Sequence, residues 1–492
     1  MEPYDVVVVG AGNAAMCAAL SAQECGARVA VLERSPESVR GGNSTFTGGA
    51  FRVAYKGVED LRSVVPDLSR EEVENTDFGS YDADTYYDDL ARMSHYRIDP
   101  GLAETLVNES LPTMQWMVNE LGVRFVPIYG RQAFKVDGRF KFWGGLTVEV
   151  SGGGVGLIET LHEKAAARGV EVFYQTRAIK LLKHAEGLAG VRCIQAGQER
   201  DILARNVILA AGGFHAHAAW RARYLGPNWD LARVRGSRYN TGDGIQMAER
   251  FGALVHGHWS GCHSVAYDAN APAFGDIDLL NQQKNSFWLG VMVNAKGERF
   301  VDEGANFRNY IYAQMGRWIL AQPGAIAWQI FDNKVADLLT DEYRIRHATK
   351  YSANTLEGLV EQIADVDQAA LLNTLNAYND AVDRTTPFNP TVKDGKSAGA
   401  ITPPKSNWAN ALDTPPYTAF AVTCGITMTY GGVSIDSQAA VQSAEGGAIE
   451  GLYAAGEMVG GFYYHDYPGG AGLMAGSVFG RIAGINAASG AK

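Results

Sequence analysis

A glycine-rich turn near the N-terminus has the residue spacing of a pyrophosphate-binding site. The predicted contacts are Gly10, Gly12, Asn13, Ala14 and Ala15, with Glu33 and Arg34 at the end of the second predicted strand. Gly10 permits a tight turn, Gly12 lets the backbone approach a phosphate, and Ala15 lets a helix pack against a strand. The N-terminus of that helix favours negative charge. Because Glu33 is placed to accept ribose hydroxyl groups, the segment predicts a bound dinucleotide.

Further small-residue turns recur at distant points of the chain. The predicted contacts are Gly41, Gly42, Asn43, Ser44, Thr47, Gly48, Gly49, Ala178, Ala211, Gly212, Gly213, Gly456, Glu457, Gly472 and Leu473. Backbone N–H groups reach phosphate and ring oxygens only where side chains are small or absent. Each turn alone fits an ordinary loop. Together they favour one long cofactor, FAD, over the NAD of a simple dehydrogenase.

The elements around these turns indicate an α/β fold. Residues 4–9, 12–24 and 28–32 predict a βαβ unit, and helices at 101–120 and 156–168 are followed by strands near 170–174, 178–183, 190–195 and 206–210. Residues 60–80 predict a surface excursion. After about residue 259 the pattern changes to a hairpin at 291–300, helices at 310–320 and 368–384, and a loop at 387–416.

We therefore predict an FAD-binding Rossmann-like (two-dinucleotide-binding) domain with an inserted α+β capping domain. The FAD-binding domain comprises residues 1–258 and 426–492, and the capping domain, which would contact substrate, comprises residues 259–425. Closure of the smaller domain over the cofactor would exclude water from the site between them.

The charge, the cysteine content and the hydrophobic pattern of the chain limit the partners and the compartment that we expect. The 492 residues carry a formal net charge of -11, so we expect no nucleic-acid partner, and an anionic substrate must meet local arginines. The five scattered cysteines favour reduced thiols in a cytoplasmic protein. We expect no signal peptide and no membrane helix. His256 and His258 lack a completing set of ligands, so no metal site is expected.

Several motifs together resemble the fumarate reductase/succinate dehydrogenase flavoprotein superfamily. They are the N-terminal turn with Glu33, residues 41–44, the pair Gly456-Glu457 and residues 294–303. The resemblance covers nearly the whole chain and implies an FAD-dependent oxidoreductase acting on CH–CH bonds. Residues 41–52, 260–264, 307–310 and 467–470 are most similar to FAD-dependent tricarballylate dehydrogenases. That similarity implies oxidation of this tricarboxylate to cis-aconitate.

The resemblance implies catalytic roles for three residues. Arg308 matches an arginine that transfers a proton while hydride passes between substrate and flavin N5. His263 matches a histidine that hydrogen-bonds a substrate carboxylate. Tyr467 stands where fumarate reductases carry a second carboxylate-binding arginine, and its turn would offer N–H groups beside the flavin. A structural ion pair for Arg308 and a core position for His263 are the alternatives.

Departures from the superfamily pattern leave other functions open. Met428 replaces a substrate-binding histidine of fumarate reductases, and Gly42 stands where succinate dehydrogenases bond FAD covalently, so we predict non-covalent FAD. Rival interpretations are an enoate or ring reductase or desaturase of fumarate or ketosteroid type, the flavoprotein part of a precorrin synthase-like oxygenase, and an electron-carrying subunit. The implied partners are a small carboxylate substrate and a membrane-bound iron–sulfur protein as electron acceptor.

Overall fold

The computed structural model describes residues 2–184, 187–279 and 282–490. Its first sheet has a core of five mutually parallel strands, in the order Ala448–Ala454, Gln198–Leu209, Tyr4–Val9, Val29–Leu32 and Glu171–Phe173. Val6, Val7 and Val8 are fully buried, as expected for a strand covered on both faces. Antiparallel strands extend the sheet: Thr176–His184, Gly187–Gln195 and Ala440–Gln442.

Two helices pack side by side against this sheet with their N-termini together. They are Asn13–Glu24 and Ala471–Ser489, and the Asn13 side chain donates hydrogen bonds to Leu473 O (2.9 Å) and Ser477 Oγ (3.0 Å). The other helices of this half are Val58–Arg62, Arg70–Asn75, Ala83–Met93, Pro100–Asn119, Tyr129–Gln132, Gly153–Ala167, Ala218–Leu225 and Asp243–Phe251. Two small sheets comprise Ala50–Phe51, Val148–Val150 and Phe125–Pro127, and Thr76–Asp77, Arg139–Phe142 and Ala133–Val136.

A second sheet is built around the long strand Tyr417–Val433. Its partners are Arg233–Val234, Val255–Asp268, Ile326–Phe331 and Lys350–Ala353, and Val291–Asn294 pairs with Ile326–Phe331. The helices Tyr312–Leu320, Leu356–Gln362 and Gln368–Ala381 accompany it. The chain thus combines an α/β domain, whose central strands are parallel, with a second domain built on a mixed sheet, in agreement with the predicted fold class. The exact domain boundaries stay a prediction.

Most predicted elements are present with small shifts at their ends. Residues 60–80 run only partly over the surface, because Leu61, Val64 and Val65 are buried beside the short helix Val58–Arg62. The predicted hairpin at 291–300 is present as a short turn, in which Val293 and Arg299 form an antiparallel bridge and Asn294 N donates to Glu298 O (2.9 Å). The strand Val291–Asn294 also pairs with Ile326–Phe331, a long-range pairing that the sequence did not predict.

All five cysteines are unpaired thiols. Among the described residues, no helix combines the length and apolarity that a membrane span requires.

Candidate active site

One cavity collects residues from both sheets and from most of the predicted turns. The predicted residues that line it are Gly10, Gly12, Asn13, Ala14, Glu33, Arg34, Gly41, Gly42, Asn43, Ser44, Thr47, Gly48, Ala178, Ala211, Gly212, His263, Arg308, Gly456, Glu457, Tyr467, Gly472 and Leu473. Gly470, at the start of the last helix, lines the same cavity as Arg308. The fold therefore brings together turns that are more than four hundred residues apart in sequence.

Three predicted cofactor residues do not line the cavity but lie behind its wall. Ala15 is fully buried in the core. A Cβ at Gly49 would lie 2.8 Å from Gly153 Cα, and one at Gly213 would lie 2.3 Å from Glu457 Oε1. These small residues permit close packing, so their effect on a bound cofactor is indirect.

The turn at Gly10 has the geometry of a phosphate cradle. Gly10 has φ +105°, and a Cβ there would lie 2.4 Å from Ala210 O, so only glycine fits. Gly12 is the N-cap of helix Asn13–Glu24, and Gly470 is the N-cap of helix Ala471–Ser489. Both helix N-termini therefore direct partial positive charge toward the cavity.

The acidic and basic residues after the second strand have different surroundings. Glu33 is buried, accepts a hydrogen bond from Ser35 N (2.7 Å), and its pKa is raised by that burial. Arg34 instead donates to Thr241 Oγ1 (2.6 Å) and forms an ion pair with Asp243 (3.1 Å). Arg34 thus fixes a neighbouring loop at the cavity wall, and Asp243, which no sequence motif indicated, lines the cavity beside it.

We call the part of the cavity lined by the glycine turns its cofactor end. Polar side chains there form hydrogen bonds with other protein groups. Glu457 accepts hydrogen bonds from His215 Nδ1 (2.9 Å), Thr429 N (3.0 Å) and Asn240 Nδ2 (3.4 Å). Asn43 donates to Thr427 O and accepts from Ser237 N (3.0 Å). Thr427 and Thr429 lie on the central strand of the second sheet, so these bonds tie the cofactor turns to that sheet.

The other end of the cavity carries three arginines, of which sequence motifs indicated Arg308 as catalytic. Arg308 is buried, donates to Arg131 O, and has its pKa lowered to about 10, chiefly by desolvation and against the opposing field of Glu342. Arg131 is ion-paired with Glu149. Arg235 donates to Gln283 Oε1 (3.3 Å) and Phe46 O (3.2 Å), and desolvation also lowers its pKa.

His263 is held edge-on between two aromatic rings of the cavity wall. Its ring centroid lies 4.9 Å from that of Tyr312 and 5.0 Å from that of Tyr467. Burial, with the nearby charge of Arg235, lowers the pKa of His263 to about 3, so the imidazole is neutral. The Tyr467 hydroxyl accepts a hydrogen bond from Gly472 N (3.0 Å), and Met428 pairs with His263 across the strands.

Four buried polar atoms in the cavity wall have no hydrogen-bond partner among the described residues. They are His263 Nδ1, Asn285 Oδ1, Glu342 Oε2 and Thr427 Oγ1. Buried polar groups are normally paired, so these atoms indicate where a polar ligand makes contact. Sequence reasoning missed Arg235, Asn285, Tyr312 and Glu342, because each lies in a segment without a recognisable motif.

Some polar residues near the cavity lie outside it. Arg52 is fully buried and donates to Gly469 O (2.8 Å) and Gly144 O (2.7 Å), so it supports the turn at Gly470 from behind. Tyr464 bonds His256 (3.4 Å). Within the described residues, no group of three or more His, Cys, Asp or Glu side chains could hold a metal ion.

Comparison with known proteins identifies the cofactor. The model of the FAD binding domain family matches residues 5–473. The chain belongs to this family. It is an FAD-dependent oxidoreductase, and the glycine cradle at Gly10 with its two helix N-termini fits the pyrophosphate of FAD.

Relatives and solved structures agree with the superfamily implied by the motifs. Fumarate reductase (cytochrome) of Shewanella frigidimarina is 29% identical over 100% of this chain and 78% of its own length. Urocanate reductase of Eggerthella lenta is 28% identical over 99% of this chain and 74% of its own.

Among solved structures, the open conformation of a flavocytochrome c3 fumarate reductase matches with a TM-score of 0.74 at 26% identity, covering 100% of this chain and 79% of that one. A 3-ketosteroid delta1-dehydrogenase from Sterolibacterium denitrificans matches with a TM-score of 0.75 at 22% identity, covering 99% and 100%, which shows a shared fold. The superfamily is thereby confirmed, and the tricarballylate assignment stays a proposal.

Proposed function

We propose that the protein interconverts a C–C single bond and a C=C bond beside a carboxylate, with tricarballylate oxidised to cis-aconitate as the specific reaction. One observation carries the proposal: Arg235 and Arg308 line the cavity of the cofactor turns, and neither forms an ion pair with a carboxylate among the described residues. A guanidinium fork binds a carboxylate through two parallel hydrogen bonds, and burial strengthens such bonds.

The residues at this end have complementary parts in such a reaction. Bound FAD supplies a two-electron centre that exchanges hydride with one carbon of the pair. Arg308 holds a carboxylate beside the other carbon, and the lowered pKa of its guanidinium favours exchange of the α-proton at that side chain. Neutral His263 offers one N–H donor to a carboxylate, and the rings of Tyr312 and Tyr467 fix its orientation.

Anaerobic titration of the purified holoenzyme tests this proposal. About one molecule of tricarballylate per flavin should bleach the flavin absorbance, and adding cis-aconitate should restore it. Succinate and citrate serve as dicarboxylate and hydroxylated controls. Bleaching by none of these carboxylates would contradict the proposal.

A second candidate is oxidoreduction of an apolar ring that carries a ketone. It is favoured by Met428, Tyr312 and Tyr467, which give one wall of the cavity an aromatic and thioether surface. Adding a cyclic enone and a ketosteroid to the same titration separates the two candidates, because a neutral ring gains nothing from Arg235 and Arg308.

We also propose that FAD is held without a covalent bond, since Gly42 has no side chain that could form one. Acid precipitation should leave the yellow colour in the supernatant. Colour that stays in the pellet would refute this part.

A further inference from the structure

A second pocket opens at the surface, outside the cofactor cavity. We define the surface pocket by six of the residues that line it: Arg97, Arg223, Tyr224, His258, Trp259 and His465. No Asp or Glu is among the described residues that line it. Its cationic, aromatic and neutral lining contrasts with the net charge of -11 of the whole chain.

The two arginines of the surface pocket form no ion pair among the described residues. Arg97 donates to His95 O (3.1 Å), and Arg223 lies over the Tyr224 ring (5.2 Å), but neither forms an ion pair among the described residues. Burial lowers the pKa of His258 to about 4, and the neighbouring His465, Arg317 and Arg97 add to this effect. His258 is therefore neutral, and the charges of Arg97 and Arg223 favour an anionic ligand.

Flat rings form the rest of the wall. Tyr224 and Trp259 have ring centroids 4.8 Å apart, and Trp259 stacks on Phe214 at 5.7 Å with an interplanar angle of 14°. Aromatic faces and arginine forks together recognise a planar ring that carries an anionic group, through stacking and charge-assisted hydrogen bonds.

Backbone strain is concentrated beside this pocket. His95, Tyr96 and His465 have φ angles of +51°, +59° and +60°, which non-glycine residues rarely adopt. The rings of His95 and His465 stack at 4.3 Å, and His465 N donates to His258 Nδ1 (3.0 Å). Strained backbone that the surrounding contacts hold in place is typical of ligand sites.

A chain of aromatic rings leads from the surface pocket to the cofactor cavity. The centroid of His258 lies 6.4 Å from Tyr430, Tyr430 lies 5.9 Å from Tyr463, and Tyr463 lies 5.0 Å from Tyr467. Tyr467 lines the cofactor cavity. Neighbouring rings in this chain are 5.0 to 6.4 Å apart, so they offer a stepwise route for electrons between the surface pocket and the cofactor cavity.

We propose that the surface pocket binds a planar aromatic electron carrier of the quinone class that bears an anionic group. This inference rests on the proposed function, because each C–C bond oxidised to C=C releases two electrons and two protons that the enzyme must pass on. The quinone takes up both electrons and two protons and becomes the hydroquinone, and in the reductive direction the hydroquinone returns them.

The test uses anthraquinone-2-sulfonate as the probe and the neutral 2-(hydroxymethyl)anthraquinone as its uncharged counterpart. Binding to the holoenzyme is measured by tryptophan fluorescence, and reoxidation of the chemically reduced holoenzyme is followed at the flavin absorbance. The double substitution Arg97→Ala with Arg223→Ala should weaken binding of the sulfonate, and raise the concentration giving half-maximal reoxidation, by at least about tenfold. The neutral probe should change by less than about twofold.

The matched control removes two exposed arginines elsewhere, Arg62→Ala with Arg344→Ala, which pair only with Glu59 and Asp341. Equal weakening in both double variants would show that only the net charge of the protein matters, and it would overturn the proposal. Unchanged binding of the sulfonate to the Arg97/Arg223 variant would also overturn it. Neither assay needs the substrate, so failure of tricarballylate to reduce the flavin would refute the proposed function while these measurements stand on their own.

Discussion

The two ends of the cofactor cavity differ in what their polar groups do. At the cofactor end, the side chains of Asn13, Asn43 and Glu457 bind other protein groups, which leaves glycine backbone to face the ligand. At the substrate end, His263 and Glu342 each keep a buried polar atom without a partner among the described residues. The named side chains of the cofactor end are therefore held by the protein itself, whereas the unpartnered atoms of His263 and Glu342 are available to a ligand.

The largest expected effect concerns Arg308 at the substrate end. Arg308→Ala should lower kcat/KM by about a thousandfold or more, because it removes a buried charge that contacts the reacting carboxylate. Flavin content per chain should stay unchanged, as measured by absorbance of the purified protein. Arg308→Lys should recover only part of the activity, since an ammonium lacks the planar fork. Near-normal turnover in the Arg308→Ala variant would show that the reaction does not depend on Arg308.

Asp466, next to Tyr467, gives a prediction for stability. Burial raises the pKa of Asp466 to about 7, against hydrogen bonds from Gln314 Nε2 (2.8 Å) and Tyr467 N (2.8 Å). The folded state therefore keeps a proton that the unfolded state loses, and stability falls as pH rises from about 4 to 7 and then levels. At about 1.4 kcal/mol per pKa unit, the loss is on the order of 4 kcal/mol.

Asp466→Asn should remove this fall, because the neutral amide resembles the protonated acid and the Gln314 amide can turn to accept from it. Urea unfolding between pH 4 and 8 measures the difference between the two proteins. If the free energy of unfolding falls equally with pH in the wild-type protein and in Asp466→Asn, the pH dependence comes from other groups.

At the cofactor end, Gly10→Ala should cost about 3 kcal/mol and release FAD. The added Cβ meets Ala210 O at 2.4 Å, and alanine disfavours the left-handed conformation. Gly26→Ala is the matched control, since Gly26 has φ +86° but no atom within 4 Å of an added Cβ, so only about 1 kcal/mol is expected. The FAD content per chain and the Tm are measured for both variants. Equal values for Gly10→Ala and Gly26→Ala would mean that the turn at Gly10 tolerates a side chain.

The smallest expected effect tests Glu342. Its carboxylate opposes the charges of Arg308 and Arg235, so Glu342→Gln should lower the KM for an anionic substrate by about tenfold. The KM for a neutral ring should stay the same. A rise in KM for carboxylates would instead show that the free oxygen of Glu342 binds a hydrogen-bond donor of the substrate.

The N-terminal turn of the cofactor end could be predicted from the sequence because its geometry depends on residues that are close together in the chain. A turn such as Gly10-Ala-Gly12 fixes its own backbone geometry, and the apolar strand Tyr4–Val9 and the following helix are set by hydrophobic pattern. The pairing of Val291–Asn294 with Ile326–Phe331 could not be predicted in this way, because no local pattern identifies a partner strand that is distant in the chain.

The sequence by itself therefore determined the fold class and the glycine turn at Gly10, since hydrophobic periodicity and short-range sterics encode both. Only the tertiary structure decided which charged groups lack a partner. The fold pairs Arg131 with Glu149, whereas Arg308 lines the cavity without an ion pair among the described residues. Pairing of side chains depends on distances between segments far apart in the chain, and no local pattern encodes those distances.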